Sequence, residues 1–368
     1  MCRGNLDEND HFSTMQVLRV VENERSALNS PDIRMEVQLS EDFSLLAEFE
    51  IRQTMRDMKM QQEEDGLGLN TFPCTLCDAN KSEIRSPDKI RIGFRMNRTT
   101  DGLHQAGHLA RVNPGNLNRE QLGSLLKGSK AVPLTSSTQQ TARCCYEALH
   151  FKLAMARWIK NIFARINAGL NIWSIDKELR KTFTPHEDHL ISGLCKVLGI
   201  QRRLQIQGNE AEKILNPRNI EDVLSLITSS NHLTNMRFLL TEVSYFNVVI
   251  QSLKPKEHHS IAEFDQRAKA FQLFLLEKYP WISWPDYLHV ALCHTAEILN
   301  VTDSISRYSA QSKEGKNRLT RIFKEHFARK SSNDLNIQDV MTRDWCLSSP
   351  ILRDHGAPKV VRRRRCKM

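Results

Sequence analysis

Cys74-Thr75-Leu76-Cys77 is the one Cys-x-x-Cys of the chain, and His289-Val290-Ala291-Leu292-Cys293-His294 sets two histidines with four residues between them. Histidines with three to five residues between them can reach one tetrahedral ion, and so can a Cys-x-x-Cys. In a zinc finger roughly 12 to 15 residues separate the two pairs. Here 211 residues (78 to 288) intervene, so the pattern is not a finger but a bipartite clasp, if it is a metal site at all. Lengthening the closed loop from finger size costs about 2.4 kcal/mol, four doublings at roughly 0.6 kcal/mol each. Structural zinc contributes roughly 10 to 16 kcal/mol, so the long loop does not forbid the site. A lone Cys-x-x-Cys is also a redox pair or a coincidence, spaced histidines are also core residues, and Cys293 is a competing ligand.

Working outward, 368 residues suffice for two or three folding units, and 40% hydrophobic with 26% charged residues is ordinary globular usage. That composition excludes a collagen-like, disordered or disulfide-stapled chain. Nine cysteines, an odd number, suit reduced thiols plus a metal site. No apolar run approaches the roughly 18 residues of a membrane span. The start, MCRGNLDENDHF, is polar and acidic rather than basic then apolar, so the expectation is a soluble intracellular protein without membrane contact.

The net charge of +9 is unevenly spread: residues 1–65 carry 15 acids against 7 bases, leaving a large basic surplus downstream. A surplus of that size favours a polyanionic partner, with nucleic acid first and solubility alone as the plainer reading.

Ile33, Met35, Val37 and Leu39 alternate with polar residues, as do Leu45, Ala47, Phe49 and Ile51. The two runs predict a β-hairpin turning at Ser40-Glu41-Asp42 and ending near Arg52. Asp57 follows five residues later. From about residue 140 the period becomes helical: Leu149, Leu153, Ala156, Ile159, Phe163 and Ile166 form one stripe. Further helices are expected around 188–198, 219–228, 261–277 and 316–330, whereas 97–140, rich in Gly, Asn, Ser and Thr, reads as loop or linker. The terminal KVVRRRRCKM, six bases and no acid, reads as an unstructured tail that binds nucleic acid or directs the chain to the nucleus.

Glu314 is an isolated acid between Lys313 and Lys316, in a stretch to Lys330 with seven bases and two acids. Such a run is ordinarily a solvated face. A single carboxylate among phosphate-binding groups is also what a two-metal nuclease requires, since its paired ions need several oxygen ligands.

The residues around these positions resemble the catalytic core of the V(D)J recombination-activating family and its Transib-type transposase relatives. Glu50-Ile51-Arg52-Gln53-Thr54-Met55-Arg56-Asp57-Met58-Lys59 is similar to the segment bearing the family's second catalytic aspartate, and Asp57 falls on it. Cys74-Thr75-Leu76-Cys77-Asp78 and Asp286-Tyr287-Leu288-His289 through His294 resemble its zinc motifs. The resemblance implies that Cys74, Cys77, His289 and His294 bind one structural Zn2+. Asp303-Ser304-Ile305 through Glu314, then Asn317-Arg318-Leu319, is similar to the segment of the third carboxylate, which Glu314 matches; Val340 through Trp345 resembles the closing segment. The likeness covers roughly residues 20–352 and is weak at 85–140. Ala148-Leu149-His150 and Gly208-Asn209 also match; His150 is read as a helix-packing residue.

The fold so implied is α/β: a partial RNase H-like sheet (1–70), a large, mostly helical zinc-binding insertion (71–300), a catalytic helix with closing segment (301–346) and the basic tail (347–368). Asp57 and Glu314 would hold Mg2+ or Mn2+, while Asn209, Lys313, Lys316, Arg318 and Arg321 would contact DNA. Double-stranded DNA, a second copy and a second recombinase subunit are the partners implied. The family's first catalytic aspartate lies well upstream of the second, and only 56 residues precede Asp57, so this polypeptide is expected to bind DNA and cut poorly. Where the family carries DNA-contacting arginines near Gly208, this chain has Gln205 and Glu212, which weakens phosphate binding. A DNA endonuclease of recombinase type is therefore the leading reading, beside a non-cutting DNA-binding protein and a zinc-stabilised interaction protein.

Overall fold

A computed structural model of the chain describes residues 65–67, 74–112, 116, 118, 121, 126–129, 146–200, 206–306 and 338–340, together with the backbone of 34–40 and 43–48. It divides into two compact units, Met1–Ser309 and Ala310–Met368. Of the second, only the helical residues 338–340 are described.

The alternating stretches form a hairpin. Strand β1 (Arg34–Ser40) runs antiparallel to β2 (Phe43–Glu48), with Met35 opposite Ala47 and Val37 opposite Leu45. Phe49 to Arg52, expected to extend β2, lie outside the described residues.

The helices are α1 (Lys81–Ile84), α2 (Pro87–Ile92), α3 (Thr100–Val112), α4 (Ala148–Asn167), α5 (Lys177–Leu198), α6 (Gly208–Ile214), α7 (Ile220–Leu224), α8 (Leu233–Gln251), α9 (Pro255–His258), α10 (Ile261–Lys278) and α11 (Asp286–Val301). At the centre lies α4, in contact with α5, α6, α8 and α11. Its sequence stripe predicts one buried face, yet Phe151, Lys152, Met155, Trp158, Ile162 and Arg165, off that stripe, are buried as well. Neighbours on several sides leave α4 little solvent face. It stops at Gly169, whose φ of +68° is the left-handed conformation open to glycine. There Gly169 N–H donates to Ile166 O (3.0 Å) and Leu170 N–H to Arg165 O (2.8 Å), closing a Schellman motif.

Several expectations are corrected. Within 97–140, residues Thr100–Val112 are helix rather than loop; Leu103 and Gly107, four apart, are its buried positions. Helix α5 begins eleven residues before the expected 188, at Lys177, capped by Asp176, whose carboxylate accepts from the N–H groups of Glu178 (3.0 Å) and Leu179 (2.8 Å). Its first half buries only Phe183 and contains Pro185, so periodicity could not find it. The helix expected over 219–228 is shorter, ending where the Ser225 hydroxyl donates to Asp222 O (2.6 Å). Helices α8 and α11 give no amphipathic signal because they are buried on most sides: Met236, Leu239, Leu240, Val243, Phe246, Val249 and Ile250 of α8 are all core. Phe246 packs on Phe264 (5.3 Å) and Phe271 (5.6 Å), fixing α8 against α10. Truncating it to Ala would cost about 3–5 kcal/mol.

Among the described residues one hydrophobic cluster runs from Cys74 to Ile305. Helix α11 packs on α10 and α4, and α10 on α2, so the segment after Cys77 and the histidine helix share that core. No helix of the described residues is long and apolar enough to cross a membrane.

Candidate metal centre

The turn Cys74-Thr75-Leu76-Cys77 forms a tight knuckle because Leu76 N–H donates back to Cys74 Sγ at 3.3 Å. Asn80 then caps α1, accepting from Ser82 N–H (3.0 Å) and Glu83 N–H (2.9 Å) while Glu83 accepts from Asn80 N–H (2.9 Å). Asp78 and Asn97 exchange two hydrogen bonds, 3.0 and 2.6 Å, tying the knuckle to the segment after α2. Arg98, buried, completes the brace: Nε donates to Cys77 O (2.7 Å) and Nη2 to Lys127 O (2.8 Å).

Against this knuckle α11 places His289 and His294. The thiol and imidazole donor atoms of Cys74, Cys77, His289 and His294 all lie within 4.8 Å of one another, and all four residues are buried. Zinc bonds of about 2.3 Å to sulfur and 2.0–2.1 Å to nitrogen place tetrahedral ligand atoms roughly 3.3–3.8 Å apart. His289 Nε2 is 3.3 Å from Cys77 Sγ. Neither ring nitrogen of the fully buried His294 has a hydrogen-bond partner; Nδ1 lies 3.6 Å from Glu297 Oε2, a charge contact rather than a hydrogen bond. A buried imidazole lacking a partner beside two thiols is costly without an ion and satisfied by one. The donor set, two sulfurs and two nitrogens, is that of a closed structural zinc site.

Electrostatics agree. Burial would raise the Cys74 thiol, but the Cys77 hydrogen bond and the His294 charge hold it well below its ordinary value. Its hydrogen bond to Cys74, with burial, pushes Cys77 up. Burial works against the His294 cation, yet the Cys74 charge prevails and it is pushed up to about 9. Burial lowers His289. The Cys74 and His294 charges thus favour one another. Cys293, expected as a competing ligand, is not one: its sulfur lies 3.3 Å from the other nitrogen of His289, Nδ1, and donates to Gln272 Oε1 at 3.4 Å.

The structure brings the four Cys and His residues together; of the other expected site residues only Asn209 is described, and it is not part of this cluster. Asp57, Glu314, Lys313, Lys316, Arg318 and Arg321 lie outside the described residues. Asn209 is exposed on the first turn of α6. Glu212 accepts from Lys152 Nζ (2.9 Å), and His150 pairs with Glu147 at the start of α4, a packing contact. Sequence reasoning missed Arg98, Gln272 and Glu297. Glu297 and Cys293, three and four positions from the histidines on one helix, were findable by spacing; Arg98 and Gln272 carry no such signal.

Comparison with known proteins places these residues in three matched regions. Residues 1–72 match the recombination-activation protein 1 (RAG1) RNase H domain, 72–137 its ZnC2 domain and 145–302 its ZnH2 domain. Cys74 and Cys77 fall in the ZnC2 match, His289 and His294 in the ZnH2 match. The chain is 27% identical over 356 residues to V(D)J recombination-activating protein 1 of Oncorhynchus mykiss, covering 94% of this chain and 32% of that protein. With the protein of the same name from Oryctolagus cuniculus it shares 25% over 362 residues, 96% of this chain and 33% of the relative. That of Xenopus laevis shares 24% over 361 residues, again 96% and 33%. The chain belongs to the RAG1 family, a family of V(D)J recombinase-related proteins, and spans about a third of the length of these relatives.

Proposed function

We propose that this chain is the catalytic-core portion of a DNA recombinase or transposase, in which zinc at Cys74, Cys77, His289 and His294 holds the insertion folded. The observation carrying this reading is the convergence of four zinc-type ligands drawn from two separate family domains. In this reading residues 1–70 and 301–346 contribute to a partial α/β RNase H-like fold. Asp57 and Glu314, assigned by sequence resemblance, would hold Mg2+ or Mn2+ together with the family's first catalytic aspartate, and the ions when bound would activate water and stabilise the leaving oxygen. The reaction is a nick at the border of a terminal repeat or recombination signal, followed by attack of the freed 3′ hydroxyl on the opposite strand to leave a hairpin. Lys313, Lys316, Arg318 and Arg321 grip phosphates, with Asn209 as a further contact. Double-stranded DNA, a second copy of the chain and a second recombinase subunit are the partners, and the basic run 359–368 directs the protein to the nucleus.

A second reading, a DNA-binding protein that does not cut, draws support from Glu212, whose carboxylate is committed to Lys152 where the family carries a DNA-contacting cation. Both readings require DNA affinity that falls steeply with salt, because neutralised phosphates release counterions. Fluorescence anisotropy with labelled duplex across a salt series tests this. Salt-insensitive or absent binding would leave only the zinc-stabilised interaction protein. Mg2+- or Mn2+-dependent nicking that disappears in Glu314→Gln selects the nuclease over the silent binder.

A further inference from the structure

Each histidine of the cluster has its Nδ1 side facing a different group. Cys293 Sγ stands 3.3 Å from His289 Nδ1, and its S–H donates to Gln272 Oε1 (3.4 Å). Gln272 is buried on α10, and its amide is oriented because Nε2 donates to Ala268 O (3.1 Å), which turns Oε1 toward the thiol. On His294 the carboxylate of Glu297 stands 3.6 Å from Nδ1, held in place by Met96 N–H at 2.9 Å. Met96 belongs to the same segment as Arg98, the brace of the knuckle.

We infer that the Cys293–Gln272 pair and Glu297 are positioning residues for the metal centre: the pair presents an acceptor to Nδ1 of His289, and the Glu297 carboxylate faces Nδ1 of His294 as a charge at 3.6 Å, so that Nε2 is the donor on each. The chemistry follows from the partners. Carboxylate and amide oxygens accept only, and a thiol that gives its proton to Gln272 presents lone pairs to His289. An acceptor at Nδ1 selects the tautomer with a free Nε2 lone pair and strengthens that nitrogen as a ligand. His289 Nε2 already points at Cys77 Sγ. The two relays also anchor α11 to α10 through Gln272 and to the knuckle segment through Met96, so ligand orientation is set by packing on both sides. Sulfur is a weak acceptor, which makes the His289 side the softer of the two.

This inference rests on the zinc reading, and the experiment separates the two. Zinc transfer from the full chain to a chelator is timed for wild type, Glu297→Gln, Cys293→Ala and Cys293→Ser, and the Co2+-substituted proteins are compared by visible absorption. Glu297→Gln and Cys293→Ala should release zinc about 10- to 100-fold faster and shift the Co2+ bands. Cys293→Ser, which keeps a donor and an acceptor, should restore the wild-type rate. Wild-type protein purified without stoichiometric zinc overturns the metal reading itself. Zinc-loaded variants that release at the wild-type rate with unchanged Co2+ spectra, or a Ser variant as fast as Ala, overturn the positioning roles alone.

Discussion

Cys77 Sγ lies 3.3 Å from Nε2 of His289, a residue 212 positions further along the chain. The contact joins residues of two family domains in one buried cluster. Because roughly 10–16 kcal/mol of apparent zinc affinity is folding free energy, comparable with the roughly 5–15 kcal/mol of a typical domain, loss of the metal should unfold this region. Cys74→Ser and His294→Ala should each abolish stoichiometric zinc, measured by atomic absorption, together with the helical far-ultraviolet signal. Full metal content in both variants would refute the clasp.

Zinc affinity should climb with pH. At neutral pH the metal-free cluster keeps a proton on Cys77, raised by its hydrogen bond to Cys74 and by burial, and on His294, which burial disfavours but the Cys74 charge lifts to about 9. Binding expels both, so while both remain protonated the affinity should rise about 100-fold per pH unit and fall equally as pH drops. Competition against a chelator at several pH values measures the slope. A pH-independent affinity would contradict the assigned protonation.

Arg98 should be disproportionately sensitive for a residue that touches no ligand atom. Its guanidinium satisfies the carbonyls of Cys77 and Lys127, and burial already disfavours its charge. Arg98→Met leaves both carbonyls without that donor, at about 1–3 kcal/mol each, so denaturant unfolding of the zinc-loaded protein should lose about 2–6 kcal/mol. A loss below about 1 kcal/mol would show that the brace is dispensable.

Replacing Lys313, Lys316, Arg318 or Arg321 by Ala should weaken duplex binding uniformly across sequences and reduce the salt slope by about one for each phosphate no longer neutralised. Glu314→Gln should leave that slope in place, since a metal-binding carboxylate contributes no counterion release. Equal slopes for wild type and all four cation variants would remove these residues from the interface.

The ligands of the metal centre were legible because metal chemistry restricts residue type and short-range spacing so tightly. Two cysteines three apart and two histidines five apart survive as a signal even with 211 residues between them. The helices that bring them together were only partly legible. Stripes with one wet face, as in α10 and part of α4, show in the pattern; α8 and α11, enclosed by neighbours, have no polar face to set the period. The reading of Thr100–Val112 as loop failed because two glycines and a run of polar residues hide the four-residue spacing of Leu103 and Gly107. The groups around the ligands stayed hidden for another reason: Arg98 and Gln272 act through backbone carbonyls and a neighbouring thiol, partners that only the folded chain reveals.

The distance in sequence between Cys77 and His289 also imposes a timetable. At roughly 5–20 residues per second a ribosome needs on the order of 10–40 s to pass from one to the other. For that interval a nascent chain carries a two-cysteine half-site able to recruit metal only weakly, or to be oxidised, and the region cannot commit to its final shape until α11 has cleared the exit tunnel. The interval for which Cys74 and Cys77 wait for their partners is therefore set by where the ligands fall in the sequence, independent of how stable the finished centre becomes.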